Sequence, residues 1–163
     1  MSMYTDALSF LEDERDAWRP YETLSQLTDD ELERPVEAAH GWSGRDLMSH
    51  LVHWQLLALD VAKELAMSET SARKVAADED FERRGDVVVN AEVDALWRAK
   101  SIEAVRQAFA STAGELRGFL TVVPETRWVK NADMQTFFYE ELTEHYEEHR
   151  PELTAILDAA GVG

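Results

Sequence analysis

Thr143-Glu144-His145-Tyr146-Glu147-Glu148-His149 decides how this chain folds. Around it Phe138, Leu142, Leu153, Ile156 and Ala160 recur at helical steps. In a helix, side chains four residues apart leave the same face one turn apart. Projected at about 100° per residue, His145 and His149 fall within roughly 60° of the centre of the apolar stripe. Both imidazoles therefore face inward. A pair so placed can chelate one transition-metal ion if at least one more ligand arrives from elsewhere. The helix is predicted to run from near Met134 to about Ala160, with a bend at Pro151, which removes one backbone hydrogen bond.

The missing ligand is sought on other inward faces. Ser43 is a good N-cap and Asp46 suits the first turn, so a second long helix is predicted from Gly44 to Met67. Leu47, Leu51, Trp54, Ala58, Val61 and Leu65 form its stripe. His50 lies roughly 60° from the centre of that stripe and His53 roughly 120° away. His50 is thus the candidate third ligand, and His53 a surface or supporting group. His40, beside Gly41 in the loop from Val36 to Trp42, has no strong claim.

The rest of the chain supplies two further long helices. Helix 1 is predicted from Tyr4 to about Leu27, on Leu8, Leu11, Trp18, Tyr21, Leu24 and Leu27, with a kink or split at Pro20. Thr28-Asp29-Asp30-Glu31 reads as a capping box opening a short turn that Pro35 ends. Ser68 to about Asp86 is polar and reads as a long crossover containing some helix, followed by helix over Asn90 to Lys100. Ser101 caps helix 3, which runs to about Leu120, with Gly114 and Gly118 allowing a neighbouring helix to approach. Val122 to Asp133 is a loop, and Val87-Val88-Val89 is too short to make a strand. The expectation is all-α: one domain spanning 1–163, a four-helix bundle with the long crossover between helices 2 and 3.

Composition narrows the function. Asp and Glu number 33 against 16 Lys and Arg, giving a formal charge of −17. Such a surface repels phosphate backbones and anionic lipid, so neither nucleic acid nor membrane is an expected partner. No apolar run reaches membrane-spanning length, and Met1 to Asp6 has no signal-like pattern, so a soluble, cytoplasmic protein is expected. With no cysteine, disulfides and thiolate ligands are excluded, and any thiol chemistry needs a thiol from outside. His145 is followed by Tyr146, so the HExxH arrangement of metalloproteases is absent. Leu142 and Tyr146 stand three residues before the two histidines, so there is no Glu-x-x-His pair of a di-iron bundle.

Trp42-Ser43-Gly44-Arg45-Asp46-Leu47-Met48-Ser49-His50-Leu51-Val52-His53-Trp54 resembles a signature segment of the DinB-like superfamily. That superfamily includes YfiT-type proteins, the mycothiol-dependent maleylpyruvate isomerase N-terminal domain and the bacillithiol transferases. The stretch from Thr143 to His149 is similar to its HxxxH helix. The resemblance implies a four-helix bundle, often a homodimer, that binds a divalent metal through His50, His145 and His149. Zinc or nickel is the expected ion, although imidazole ligands also suit copper and iron. The resemblance further implies an enzyme that activates an external thiol, such as mycothiol or bacillithiol, and transfers it to, or isomerises, a small electrophilic substrate. The alternative is a non-catalytic protein that binds or sequesters a small molecule on the same scaffold.

The chemistry suits the residues. Three imidazoles leave an open coordination position, as in catalytic rather than structural sites. Glu141 and Glu148 flank the histidine face and could accept imidazole N–H groups. Trp42, Trp54, Trp97, Trp128 and Tyr146 are candidates to line a pocket, with core packing the competing role for each.

Overall fold

The computed structural model describes residues 3–162 and is helical, with no strand among them. Met1, Ser2 and Gly163, included above in the reading of the N-terminal start and of the 1–163 domain, lie outside the described residues. The α-helices are α1 (Ala7–Trp18), α2 (Asp29–Glu33), α3 (Gly44–Met67), α4 (Ala72–Arg84), α5 (Asp86–Arg98), α6 (Ile102–Val122), α7 (Ala132–Tyr139), α8 (His145–Glu148) and α9 (Arg150–Ala159). 3₁₀ segments occupy Arg19–Gln26, Glu37–Ala39 and Glu125–Arg127, and a π-helical turn, Glu140–Glu144, joins α7 to α8.

Helix α3 is the element the others pack on. Its expected stripe of Leu47, Leu51, Trp54, Ala58, Val61 and Leu65 is buried, and so are Met48, Val52, Leu57, Leu59 and Ala62 on its other sides. A helix apolar most of the way round has to be covered on all sides. Its most extensive contact is with α6, whose Val105, Phe109, Ala113, Leu116 and Leu120 face inward. Helices α4 and α5 cover another side, and α2, α9 and the π-turn cover the rest.

The first helix differs from its expected pattern. Pro20 ends it: α1 stops at Trp18 and the chain tightens into 3₁₀ geometry. Its inward face is Phe10, Glu14, Ala17 and Trp18, while Leu8, assigned to the stripe by spacing, is 68% exposed. A carboxylate sits in the middle of that buried face because Arg117 and Tyr146 satisfy it, and a purely apolar pattern cannot register such a residue.

Two other expectations need correction. The polar stretch after Ser68 forms two consecutive helices, split at Gly85, whose φ of +83° lies in the region that side-chain-bearing residues avoid. Helix α5 therefore begins at Asp86, before the expected Asn90, and takes in Val87-Val88-Val89. No residue of α4 is fully buried, so it carries no apolar stripe to read. Gly114 and Gly118 do not serve close approach, since a Cβ at either would meet nothing within 4 Å. The glycine that does is Gly44, where a Cβ would stand 2.8 Å from Leu32 Cδ2.

Candidate metal centre

Two local devices aim the histidines. In the first, the chain turns sharply at His40 (φ +59°) and Gly41 (φ +85°), and Val36 N–H donates to the Trp42 carbonyl (3.0 Å). The turn fixes Trp42 and hands the chain to Ser43. Ser43 Oγ accepts from Asp46 N–H (3.1 Å) and Asp46 Oδ2 accepts from Ser43 N–H (3.0 Å), a reciprocal cap that starts α3. His50 follows on the buried side of that helix. Asp46 thus has the capping role its position suggests.

The second device is the break in the C-terminal helix. The π-turn over Glu140–Glu144 feeds directly into His145, and His149 leaves helical geometry at φ −96°, ψ 6° before Arg150 and Pro151 restart the helix as α9. The bend expected at Pro151 is this restart. π-turns add a residue to the local register and are frequent at functional sites.

These elements bring together His50, His145 and His149, the three histidines singled out from the sequence. His50 Nε2 and His145 Nε2 stand 2.9 Å apart, and all three ring centroids are 4.8 Å from one another. One nitrogen from each ring can be chosen so that all lie within 4.8 Å. Ligands about 2.0–2.1 Å from a shared ion stand roughly 2.9–3.4 Å apart for right-angle to tetrahedral geometry; the His50–His145 pair is at that spacing, and with His149 beside it the three rings could hold one divalent ion. Burial supports the fit. The Nδ1 atoms of all three rings are shielded from solvent without a hydrogen-bond partner. Trp42 stacks on His149 (centroids 5.4 Å, 30° between planes) and lies 5.1 Å from His50, holding two of the rings from one side.

The electrostatics favour the neutral imidazoles a metal needs. Burial, reinforced by His145, His149 and His53, drives His50 down to about 3. Burial, then His149, drives His145 down to about 3.

The remaining candidates divide. His53 lies outside the cluster and accepts a hydrogen bond at Nδ1 from Trp97 Nε1–H (3.1 Å). Trp97, Trp128 and Tyr146 are core residues. Trp54 is buried with them, and together with the partly buried Trp42 it lines a cavity of about 530 Å³ that opens beside the three histidines. The Glu141 and Glu148 side chains line that cavity too, rather than bonding to the imidazoles. Glu152, which the sequence reading passed over, is the carboxylate nearest a ring: its Oε1 is 3.6 Å from His149 Nδ1, beyond hydrogen-bond reach.

A buried polar chain behind the site was also missed. Tyr146 donates its hydroxyl proton to Glu14 Oε1 (3.0 Å) and accepts from Gln55 Nε2 (3.0 Å), while Arg117 Nε donates to Glu14 Oε2 (2.5 Å). Tyr21 O–H donates to the Tyr146 backbone carbonyl. Tyr146 follows His145 directly, so these bonds fix the rotation of α8 and hence the aim of its histidines. Glu14 stands one turn from both Phe10 and Trp18 on the inward face of α1, a place that only its distant partners Arg117 and Tyr146 explain.

No helix among the described residues is long and apolar enough to cross a membrane. Comparison with curated proteins and with solved structures gave no match. A family model described as the mycothiol maleylpyruvate isomerase N-terminal domain matches residues 11–138, a span that holds His50 and ends short of His145 and His149. Most of the chain lies within that match, and the chain belongs to this family, a DinB-like superfamily domain.

Proposed function

We propose that this chain is a single-domain metalloenzyme, a four-helix bundle with a long helical crossover, in which His50, His145 and His149 hold a divalent ion. Zinc and nickel are the ions the donor set suits best under this reading. Its reaction is the transfer of an external thiol, mycothiol or one like it, to a small electrophile, or a thiol-assisted isomerisation. One observation carries the proposal: three imidazoles, His50 buried and His145 and His149 half-buried, with shielded and unpartnered Nδ1 atoms, converge at the wall of a substrate-sized cavity. A bound divalent ion supplies Lewis acidity there, lowering the pKa of a thiol and withdrawing electrons from a carbonyl.

The chain's own groups do the remainder. Burial, followed by Glu140, Asp78 and Glu148, pushes the Glu141 carboxyl up to about 7, against Lys74. A carboxyl poised there can accept the thiol proton and return it to the product carbon or oxygen. Trp42, Trp54 and Phe81 give the cavity an apolar wall that limits water around the reacting groups.

The proposal is tested by metal content and melting temperature. Purified protein given zinc or nickel should bind one ion per chain and gain roughly 5–10 °C at saturating ion. His145→Ala and His50→Ala should each lose both effects. Unchanged metal content in His145→Ala would sink the assignment. Conjugated product formed from a low-molecular-weight thiol and an electrophile separates the enzyme from the sequestration protein, which would bind tightly and release the ligand unaltered.

A further inference from the structure

The cavity beside the three histidines has a distinctive lining. Trp42, Trp54 and Phe81 present aromatic rings, and Asp86, Asp94, Glu140, Glu141 and Glu148 present carboxylates. No lysine or arginine lines it. The cations nearby are already engaged: Lys74 Nζ is 2.7 Å from Asp78, and Arg98 Nε is 3.7 Å from Asp46. Acidic side chains alone commonly make a solvated rim, but here two further features point to a ligand. Asn90 lines the cavity, and its Oδ1 is shielded from solvent without a donor. His50, only 6% exposed, also lines the cavity with its Nδ1 unpartnered.

Aromatic faces attract cations through the ring quadrupole, and carboxylates add charge and acceptor oxygens. A carbonyl oxygen without a donor completes a set that recognises N–H or N⁺ groups. A divalent ion on the histidines does not reverse the sign, because its two charges face five carboxylates, or four when Glu141 holds a proton. An anionic substrate would enter against that field, whereas an ammonium group is drawn by it.

From this we infer that the substrate bound here is an ammonium compound: a small molecule with a protonated amine or quaternary nitrogen on an apolar body. Its nitrogen sits among Asp86, Asp94 and the aromatic rings, and its reacting end points to the histidines. The inference rests on the reading of the three histidines as the reactive centre.

Calorimetric titration of the zinc-loaded chain with benzyltrimethylammonium, benzyl alcohol and phenylacetate tests it. The ammonium probe should bind at least about tenfold tighter than the alcohol, and phenylacetate weakest of the three. The preference should shrink in about 0.5 M sodium chloride. The double substitution Asp86→Asn with Asp94→Asn should weaken ammonium binding about fivefold or more. Glu103→Gln, an exposed charge on α6 that does not line the cavity, should leave binding unchanged. Phenylacetate binding as tightly as the ammonium probe, no binding by any probe, or equal effects of the double variant and Glu103→Gln would overturn the inference. The same titrations without zinc separate the two readings. A chain that takes up no zinc yet prefers the ammonium probe loses the metal assignment and keeps this one. A chain that takes up zinc and prefers phenylacetate does the reverse.

Discussion

Glu14 and Glu141 are both carboxyls set below the surface, and burial raises both, but only Glu14 has a cation in hydrogen-bond contact. Glu141 has acidic neighbours and is pushed up to about 7 from an ordinary 4.5. Between those values the native chain holds a proton that the unfolded chain has released. Stability from this group is therefore full below 4.5 and is lost as pH rises through about 7. Glu141→Gln cannot ionise, so it should match the parent near pH 4 and exceed it near pH 8 by on the order of 1–2 kcal/mol. For a chain of this size that is roughly 2–8 °C in melting temperature. Melts of both metal-free proteins at the two pH values check this, and an equal difference at both would refute the assigned cause. Residues such as His50, His145 and His149 were readable because each sits on an apolar stripe, and projection says which way it faces. Glu14 was unreadable by the same method: its burial depends on Arg117 and Tyr146, far away in the sequence.

Elements show the same division between local and distant causes. The Ser43 and Thr28 caps, the end of α1 at Pro20 and the start of α6 after Ser101 are short-range chemistry and were legible. The π-turn at Glu140–Glu144 was not, because it has no residue signature; packing of Leu142, Tyr146 and Leu153 on their neighbours sets the register on either side. Helix α4 was blurred because none of its residues is fully buried, and inward contacts such as Ala77 on the core and Phe81 against Trp54 are too few to draw a stripe. The glycines give a direct test of which constraint is local. Gly44→Ala places a methyl group 2.8 Å from the Cδ2 of fully buried Leu32 and 3.4 Å from Ile156 Cγ2. Overpacking of that kind costs about 1–3 kcal/mol. Gly118→Ala meets open space inside α6 and should instead stabilise by about 0.5–1 kcal/mol. Urea unfolding of the two variants should move the midpoint in opposite directions. A stabilised Gly44→Ala would mean that α2 yields to the methyl group, and that the close packing of α2 on α3 is not a fixed part of the fold.

At the scale of the whole molecule, a charge of −17 competes with a set of mostly superficial ion pairs. Pairs such as Arg19–Asp16 and Lys63–Glu115 join partners that are each close to half exposed or more, and such pairs contribute about 0–1 kcal/mol. They act over one contact, whereas the excess of 33 acidic over 16 basic side chains is felt across the surface wherever the separation is within a Debye length. That length falls from about 30 Å at 0.01 M salt to about 3 Å at 1 M. Screening therefore removes more repulsion than attraction. The buried Glu14–Arg117 pair, with Glu14 only 1% exposed, is hardly screened and does not change the sign. The metal-free chain should melt several degrees higher in about 0.5 M sodium chloride than in about 0.02 M. Sodium chloride is the right salt, because sulfate would add its own exclusion effect on apolar burial. A melting temperature that fell over this range would show that the surface pairs act as a network that outweighs the net charge.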